Sequence, residues 1–141
     1  MNIVKLLSGL LLGSALSLSI GGLLLYAYNQ VPMYLINLTI GAVIVLYVLA
    51  YFVSKGKMLA INISSILGVF APILSASTPA HLGILSDFGQ GWLITADGFF
   101  QLLGFYVFPI AFVLLRIAYR KRLPRKKAAS EIETKKAQEL K

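Results

Sequence analysis

The sequence predicts an all-α integral membrane protein with four transmembrane helices. Of its 141 residues, 58% are hydrophobic and only 13% are charged, whereas soluble domains carry about 25% charged residues. No Asp, Glu, Lys, Arg or His occurs between Leu6 and Ser54. The apolar stretches are each about 20 residues long, which is the length that a helix needs to cross the hydrocarbon core of a bilayer.

The first two spans are predicted at residues 6–28 and 33–53. The first is longer than the apolar region of a secretory signal peptide, which covers about 7–15 residues, so we expect it to remain a membrane helix. A tight turn separates the two spans. Pro32 in this turn suits the start of the second helix, because the first helical N–H groups have no intrahelical partner.

The third and fourth spans are predicted at residues 58–77 and 98–119. With them the transmembrane domain covers residues 1–119, and residues 120–141 form a basic tail. The outer loop between these spans, residues 78–97, is the only long connection, and a loop of this length without structure would be unusual.

This outer loop is expected to contain a short interfacial helix. Thr78 and Pro79 match an N-cap followed by the first helical position, so we place the helix from Pro79 to Leu85. Asp97 at the end of the loop is expected to cap the fourth span.

The positive charges predict the orientation of the chain. All 13 Lys and Arg residues fall at Lys5, at Lys55 and Lys57, and from Arg116 onward. The other two connections between spans contain none. Because Lys and Arg stay on the cytoplasmic side of membrane proteins, we expect both termini to be cytoplasmic, in a multi-pass protein of the cell membrane.

The basic tail has two compatible interpretations. Basic residues near a membrane surface each contribute about 1 kcal/mol of attraction to anionic lipid, and an acidic cytoplasmic partner could dock on the same charges. Nucleic acid is not an expected partner, because no basic groove with interleaved aromatic residues is present. The tail residues concerned are Arg120, Lys121, Arg122, Arg125, Lys126 and Lys127.

Small residues recur every fourth position along the first span, at Gly9, Gly13, Ser17 and Gly21. They lie on one stripe of a helix, and such a stripe lets another helix approach closely in lipid. The stripe predicts a contact either with a partner or second copy, or with the other spans of this chain.

Five polar residues are expected near the outer side of the bundle: Asn37, Thr39, His81, Asp97 and Gln101. One hypothesis is a polar vestibule that binds a small solute, a lipid headgroup or a quinone ring. The other, which we favour at this point, is that the amides make separate interhelical hydrogen bonds of about 0.6–2 kcal/mol each while His81 lies in the wet loop.

Catalysis, metal binding and cofactor binding find no support in the sequence. The chain has no Cys and one His, whereas structural zinc needs four ligands. It has no Gly-x-Ser-x-Gly elbow, no P-loop and no dinucleotide-binding fingerprint. No charged residue is predicted at mid-span, which argues against a relay of buried carboxylates. We therefore expect no enzymatic activity, no metal and no cofactor.

These observations favour a small auxiliary or structural subunit that packs against other membrane proteins of a larger complex. The first alternative is a channel or transporter for ions or small solutes, built by homo-oligomerisation, so that the partner is a second copy of the chain. The second alternative is a membrane-anchored regulator that acts through its basic tail.

Overall fold

The computed structural model describes residues 2–27 and 32–121, which form helices and short turns with no β-strand in either range. A π-helical segment, Leu103–Val107, joins the last two α-helices into one continuous span. The α-helices are α1 (Ile3–Ala27), α2 (Met33–Ser54), α3 (Met58–Ser77), α4 (Pro79–Ser86), α5 (Trp92–Leu102) and α6 (Phe108–Ala118).

Four helical segments are long and apolar enough to cross a membrane: α1, α2, α3 and the fourth span, Trp92–Ala118. The shortest, α3, has 20 residues and reaches about 30 Å at 1.5 Å per residue, one hydrocarbon thickness. The predicted all-helical architecture with four membrane-length spans is therefore confirmed.

The fourth span begins at Trp92, six residues before the predicted start at Gly98. Its first turn is completed by Thr95, whose hydroxyl donates to the Gly91 carbonyl at 2.6 Å and accepts from the Gly89 N–H at 3.0 Å. The prediction that Asp97 caps this span is thus wrong, because Asp97 lies inside the helix. The connection between α3 and the fourth span is shorter as a result.

The other boundaries lie close to the prediction, although α1 starts at Ile3 and α2 ends at Ser54. The predicted first turn, 29–32, lies almost entirely outside the described residues. A short helix, α4, occupies Pro79–Ser86, where the sequence predicted one from Pro79 to Leu85. Its interfacial position stays a prediction.

The apolar core gathers one end of each span. Leu7 of α1, Val53 of α2, Ile61 of α3 and Phe112 of α6 are fully buried in one cluster. Because the start of α1 and α3 meets the end of α2 and α6, consecutive spans run antiparallel. We call this the basic end, since Lys5, Lys55, Lys57, Arg116, Arg120 and Lys121 belong to it, and the opposite end the α4 end.

The centre of the bundle is α1, which packs against both α2 and the fourth span. The fourth span in turn packs against α3. Among the described helices, α2 contacts only α1 and α3, and most of its surface is exposed. The helix pair α2 and α3 meets near its connecting turn and leaves a crevice farther along, which is described below.

The π-helical segment creates a buried carbonyl that another span satisfies. The Phe108 N–H bonds to the Leu103 carbonyl and is therefore diverted from Gly104, its partner in a regular α-helix. Pro109, the next residue, has no N–H. The Ser14 hydroxyl of α1 donates to the Gly104 carbonyl at 2.7 Å, which ties α1 to the fourth span.

Candidate functional site

A small, partly open cavity lies at the α4 end between α1, α2, α4 and the fourth span. Its volume is about 30 Å³, and a water needs about 10–15 Å³ of such space, so it accommodates a group of one or two heavy atoms. The lining residues are Ser17, Leu18, Gly21, Gly22, Leu25, Thr39, His81, Asp97, Gln101 and Phe105.

Asp97 lies on the second turn of α5 and is only 5% exposed. Its Oδ2 atom is buried and has no hydrogen-bond partner in the described part of the chain. Gly21 allows this arrangement, because a Cβ at that position would come within 3.1 Å of Asp97 Oδ1. A buried carboxylate without a partner is costly, so Asp97 either keeps a proton or meets a cation.

Gln101, one helical turn after Asp97, has its amide oriented by its neighbours. Its Nε2 donates to the His81 carbonyl and to Ser75 Oγ, each at 3.2 Å. A carbonyl only accepts hydrogen bonds, so the amide nitrogen must face His81. The Oε1 atom is then left buried and, within residues 2–27 and 32–121, without a partner.

His81 belongs to α4, and its ring packs on Phe105 with 4.9 Å between the ring centroids. Its Nδ1 atom is buried and finds no partner among the described residues. Burial lowers the pKa of His81 below its ordinary value, which favours the neutral ring. A neutral imidazole keeps one nitrogen as an acceptor.

The structure brings together four of the five polar residues singled out in the sequence: Thr39, His81, Asp97 and Gln101. Asn37 is exposed on α2 and does not line the cavity. Of the two amides for which we favoured separate interhelical hydrogen bonds, Gln101 bonds to α3 and α4, whereas Asn37 has no such bond within residues 2–27 and 32–121. His81 lies in the connection between α3 and the fourth span, as expected, and is partly buried against the bundle; its contact with water stays a prediction.

Thr39 and Ser75 complete the surroundings of the cavity. Thr39 Oγ1 donates to the Leu35 carbonyl of its own helix at 2.9 Å. Ser75 of α3 is fully buried and receives the Gln101 amide described above. No pattern in the sequence singled out Ser75, since a lone Ser near a helix end has many possible roles.

The small-residue stripe of α1 is largely used within the chain. A Cβ at Gly13 would lie 3.0 Å from the Phe108 ring, and Ser17 and Gly21 line the cavity. Gly9 differs, because nothing lies within 4 Å of where its Cβ would be.

An apolar crevice lies between α2 and α3, with α1 and the fourth span as its floor. Its volume is about 320 Å³. Leu18 and Phe105 line both the crevice and the polar cavity, so the two spaces are adjacent. Ser64 also lines the crevice, and its buried hydroxyl has no partner in the described ranges.

At the basic end, Arg116 Nη2 donates to Asn62 Oδ1 of α3 at 2.7 Å. Arg120 and Lys121 follow the fourth span and are exposed. The remaining residues predicted to meet anionic lipid or a partner lie outside the described part of the chain; they are Arg122, Arg125, Lys126 and Lys127.

Within the described residues, no group of three His, Cys, Asp or Glu side chains could hold a metal ion. Comparison of the chain with protein-family models, curated proteins and solved structures finds no match.

Proposed function

We propose that the protein is a membrane transporter that binds a small cationic solute in the cavity lined by Asp97, Gln101 and His81. The observation that carries this proposal is that all three residues leave a buried polar atom without a partner around one cavity. Native proteins satisfy most buried polar groups, so a cluster of such atoms around one cavity supports a polar binding site there. One chain lines the cavity, so binding does not require a homo-oligomer.

The chemistry of the three atoms selects a cation. Asp97 Oδ2 and Gln101 Oε1 are acceptors, and a neutral His81 supplies a further acceptor. A carboxylate in an apolar surrounding repels anions strongly, because the low dielectric constant screens charge poorly. A protonated amine or ammonium ion would donate hydrogen bonds and also neutralise Asp97.

We place the cavity near the outer face of the cell membrane, with both termini in the cytoplasm. The described Lys and Arg residues belong to the basic end, which supports this orientation through the positive-inside rule. On this orientation α4 lies at the outer interface. The solute would reach the cavity from the outer side.

Single-cysteine labelling tests this orientation cleanly, because the chain contains no Cys. Ser86→Cys at the α4 end should react with a membrane-impermeant maleimide in intact cells, and Ser54→Cys at the basic end should react only after lysis. Both serines are exposed. The reverse pattern would overturn the orientation.

Uptake of radiolabelled methylammonium into proteoliposomes tests the transport function. We expect uptake above that of protein-free liposomes, and we expect Asp97→Asn to abolish it, because this change removes the charge while keeping the side-chain shape. Asp87→Asn is the matched control, since Asp87 is exposed just after α4. Equal uptake by the wild type and Asp97→Asn, or no uptake above empty liposomes, would contradict the proposal.

A second candidate function is the auxiliary subunit of a larger membrane complex. The exposure of α2 favours this function. Among the described helices, α2 contacts only α1 and α3, and it exposes most of its apolar surface. Native mass spectrometry after purification from native lipid should then show a larger membrane protein at fixed stoichiometry. A chain that is isolated alone or only with copies of itself would contradict this role.

A further inference from the structure

The apolar crevice between α2 and α3 lies beside the cavity, and its size and lining define the ligand more closely. It is adjacent to the cavity through Leu18 and Phe105. Along α1 its lining runs from Leu18 to Leu10, which corresponds to about 12 Å at 1.5 Å per residue. Its volume of about 320 Å³ lies at the lower end of the range of about 300–1,000 Å³ found for ligand pockets.

We infer that the ligand is an amphiphilic amine, whose protonated head meets Asp97 and whose hydrocarbon chain lies in the crevice between α2 and α3. This inference depends on the proposed function and names the substrate class of the same site. Two observations support it: a cavity of about 30 Å³ that contains the acceptors, and an apolar crevice beside it that is large enough for a chain.

The charge at the α4 end distinguishes this occupant from an ordinary membrane lipid. A phosphate headgroup would place its negative charge beside the Asp97 carboxyl, whereas an ammonium group complements it. The lateral position of the crevice also fits an amphiphile, because both long walls belong to spans that face the bilayer. The chain can therefore enter from the hydrocarbon phase without crossing a polar surface.

A series of alkylammonium ions tests the inference in nanodiscs of fixed lipid composition. Octylammonium should displace radiolabelled methylammonium at a concentration at least about tenfold lower than butylammonium, because more apolar surface is buried. Ala42→Phe, which fills the crevice from α2, should remove this difference and leave methylammonium binding unchanged. Val48→Phe is the matched control, since Val48 is on α2 and outside the crevice lining.

Ala71→Leu fills the crevice from α3 and replaces Ala42→Phe if that variant does not fold. Equal displacement by butylammonium and octylammonium in the wild type would overturn the crevice inference and leave the proposed function standing. If octylammonium still displaces methylammonium better than butylammonium does in both filled variants, the crevice inference is also overturned, because the difference would then reflect partitioning into lipid.

Direct binding of radiolabelled octylammonium separates the remaining outcomes. If methylammonium does not bind, octylammonium binding that both Asp97→Asn and Ala42→Phe abolish would still support the amphiphile. If neither ion binds in an Asp97-dependent way, the cation site itself is wrong, and the proposed function and this inference are both overturned.

Discussion

The two ends of the bundle bury polar side chains in opposite ways. At the basic end, Ser8 donates to the Ala50 carbonyl at 2.8 Å and Ser65 donates to the Ile61 carbonyl at 2.7 Å, within an apolar core. At the α4 end, Asp97, Gln101 and His81 each leave a buried atom without a partner among the described residues.

On the proposed function, this difference separates a region that stabilises the fold from a region that binds a ligand. An unsatisfied buried polar group costs about 1–3 kcal/mol, and such groups persist where function requires them. The basic end contains the apolar core, and the α4 end contains the cavity for which we propose a ligand. Ser64 is an exception, because it is unpartnered among the described residues and lines the crevice, yet it is next to Ser65 toward the basic end.

The largest effect is expected from opening the core at the basic end. Phe112→Ala should lower the free energy of unfolding by about 3 kcal/mol, because the cavity removes packing contacts of a fully buried ring. Phe99→Ala is the control, since Phe99 is 52% exposed on the same span. Reversible unfolding in mixed micelles measures both. Similar losses for the two variants would mean that the basic end is not the stabilising core.

A smaller loss is expected for the bond between α1 and the π-helical segment. Ser14→Ala should destabilise the protein by about 1–3 kcal/mol, because it leaves the Gly104 carbonyl buried and unsatisfied. Ser19→Ala is the control, since the Ser19 hydroxyl bonds to the Ala15 carbonyl of its own helix, and that carbonyl also accepts a helical N–H. Equal stability of Ser14→Ala and the wild type would mean that the bond between Ser14 and the Gly104 carbonyl does not stabilise the protein.

The smallest effect is expected in how the free energy of unfolding depends on pH through His81. This dependence tests whether the His81 ring is buried in the folded protein. Burial lowers its pKa from the ordinary value of 6.5, so the unfolded chain binds the proton more readily than the folded one. The contribution of His81 to stability should therefore decline as the pH falls below about 6.5.

The pH dependence is measured as the difference between the wild type and His81→Gln, since Asp97 lines the same cavity and is present in both. Unfolding from pH 8 to pH 5 should show a steeper loss on acidification in the wild type. Identical slopes would indicate that His81 is hydrated in the folded protein.

The sequence allowed the spans and part of the site to be predicted, because both depend on local properties. Hydropathy and length defined the four spans, and the position of Thr39, His81, Asp97 and Gln101 along them placed these residues on one side. Whether these side chains meet depends on how closely α1 packs against the fourth span. Gly21 permits the close approach, because a Cβ there would lie 3.1 Å from Asp97 Oδ1. Hydropathy does not contain that information, and so we favoured separate hydrogen bonds.

The boundary of the fourth span and its π-helical segment were not predictable for a related reason. Asp97 looked like a cap because a polar residue precedes a long apolar run, yet Thr95 and the backbone of Gly89 and Gly91 start the helix earlier. Pro109 indicates that a carbonyl loses its partner. Only the packed structure identifies Ser14 as the hydroxyl that replaces it.

The free energy of unfolding of Asp97→Asn, at neutral pH and without added amine, tests the central claim most directly. We expect this variant to be more stable than the wild type by about 1 kcal/mol. A buried Asp97 without a cation must take up a proton at neutral pH or keep an unpaired charge, and a neutral amide of the same shape requires neither. Asp87→Asn should leave stability unchanged. A clear loss of stability in Asp97→Asn would contradict the account, since it would mean that the carboxyl of Asp97 is already satisfied within the folded protein.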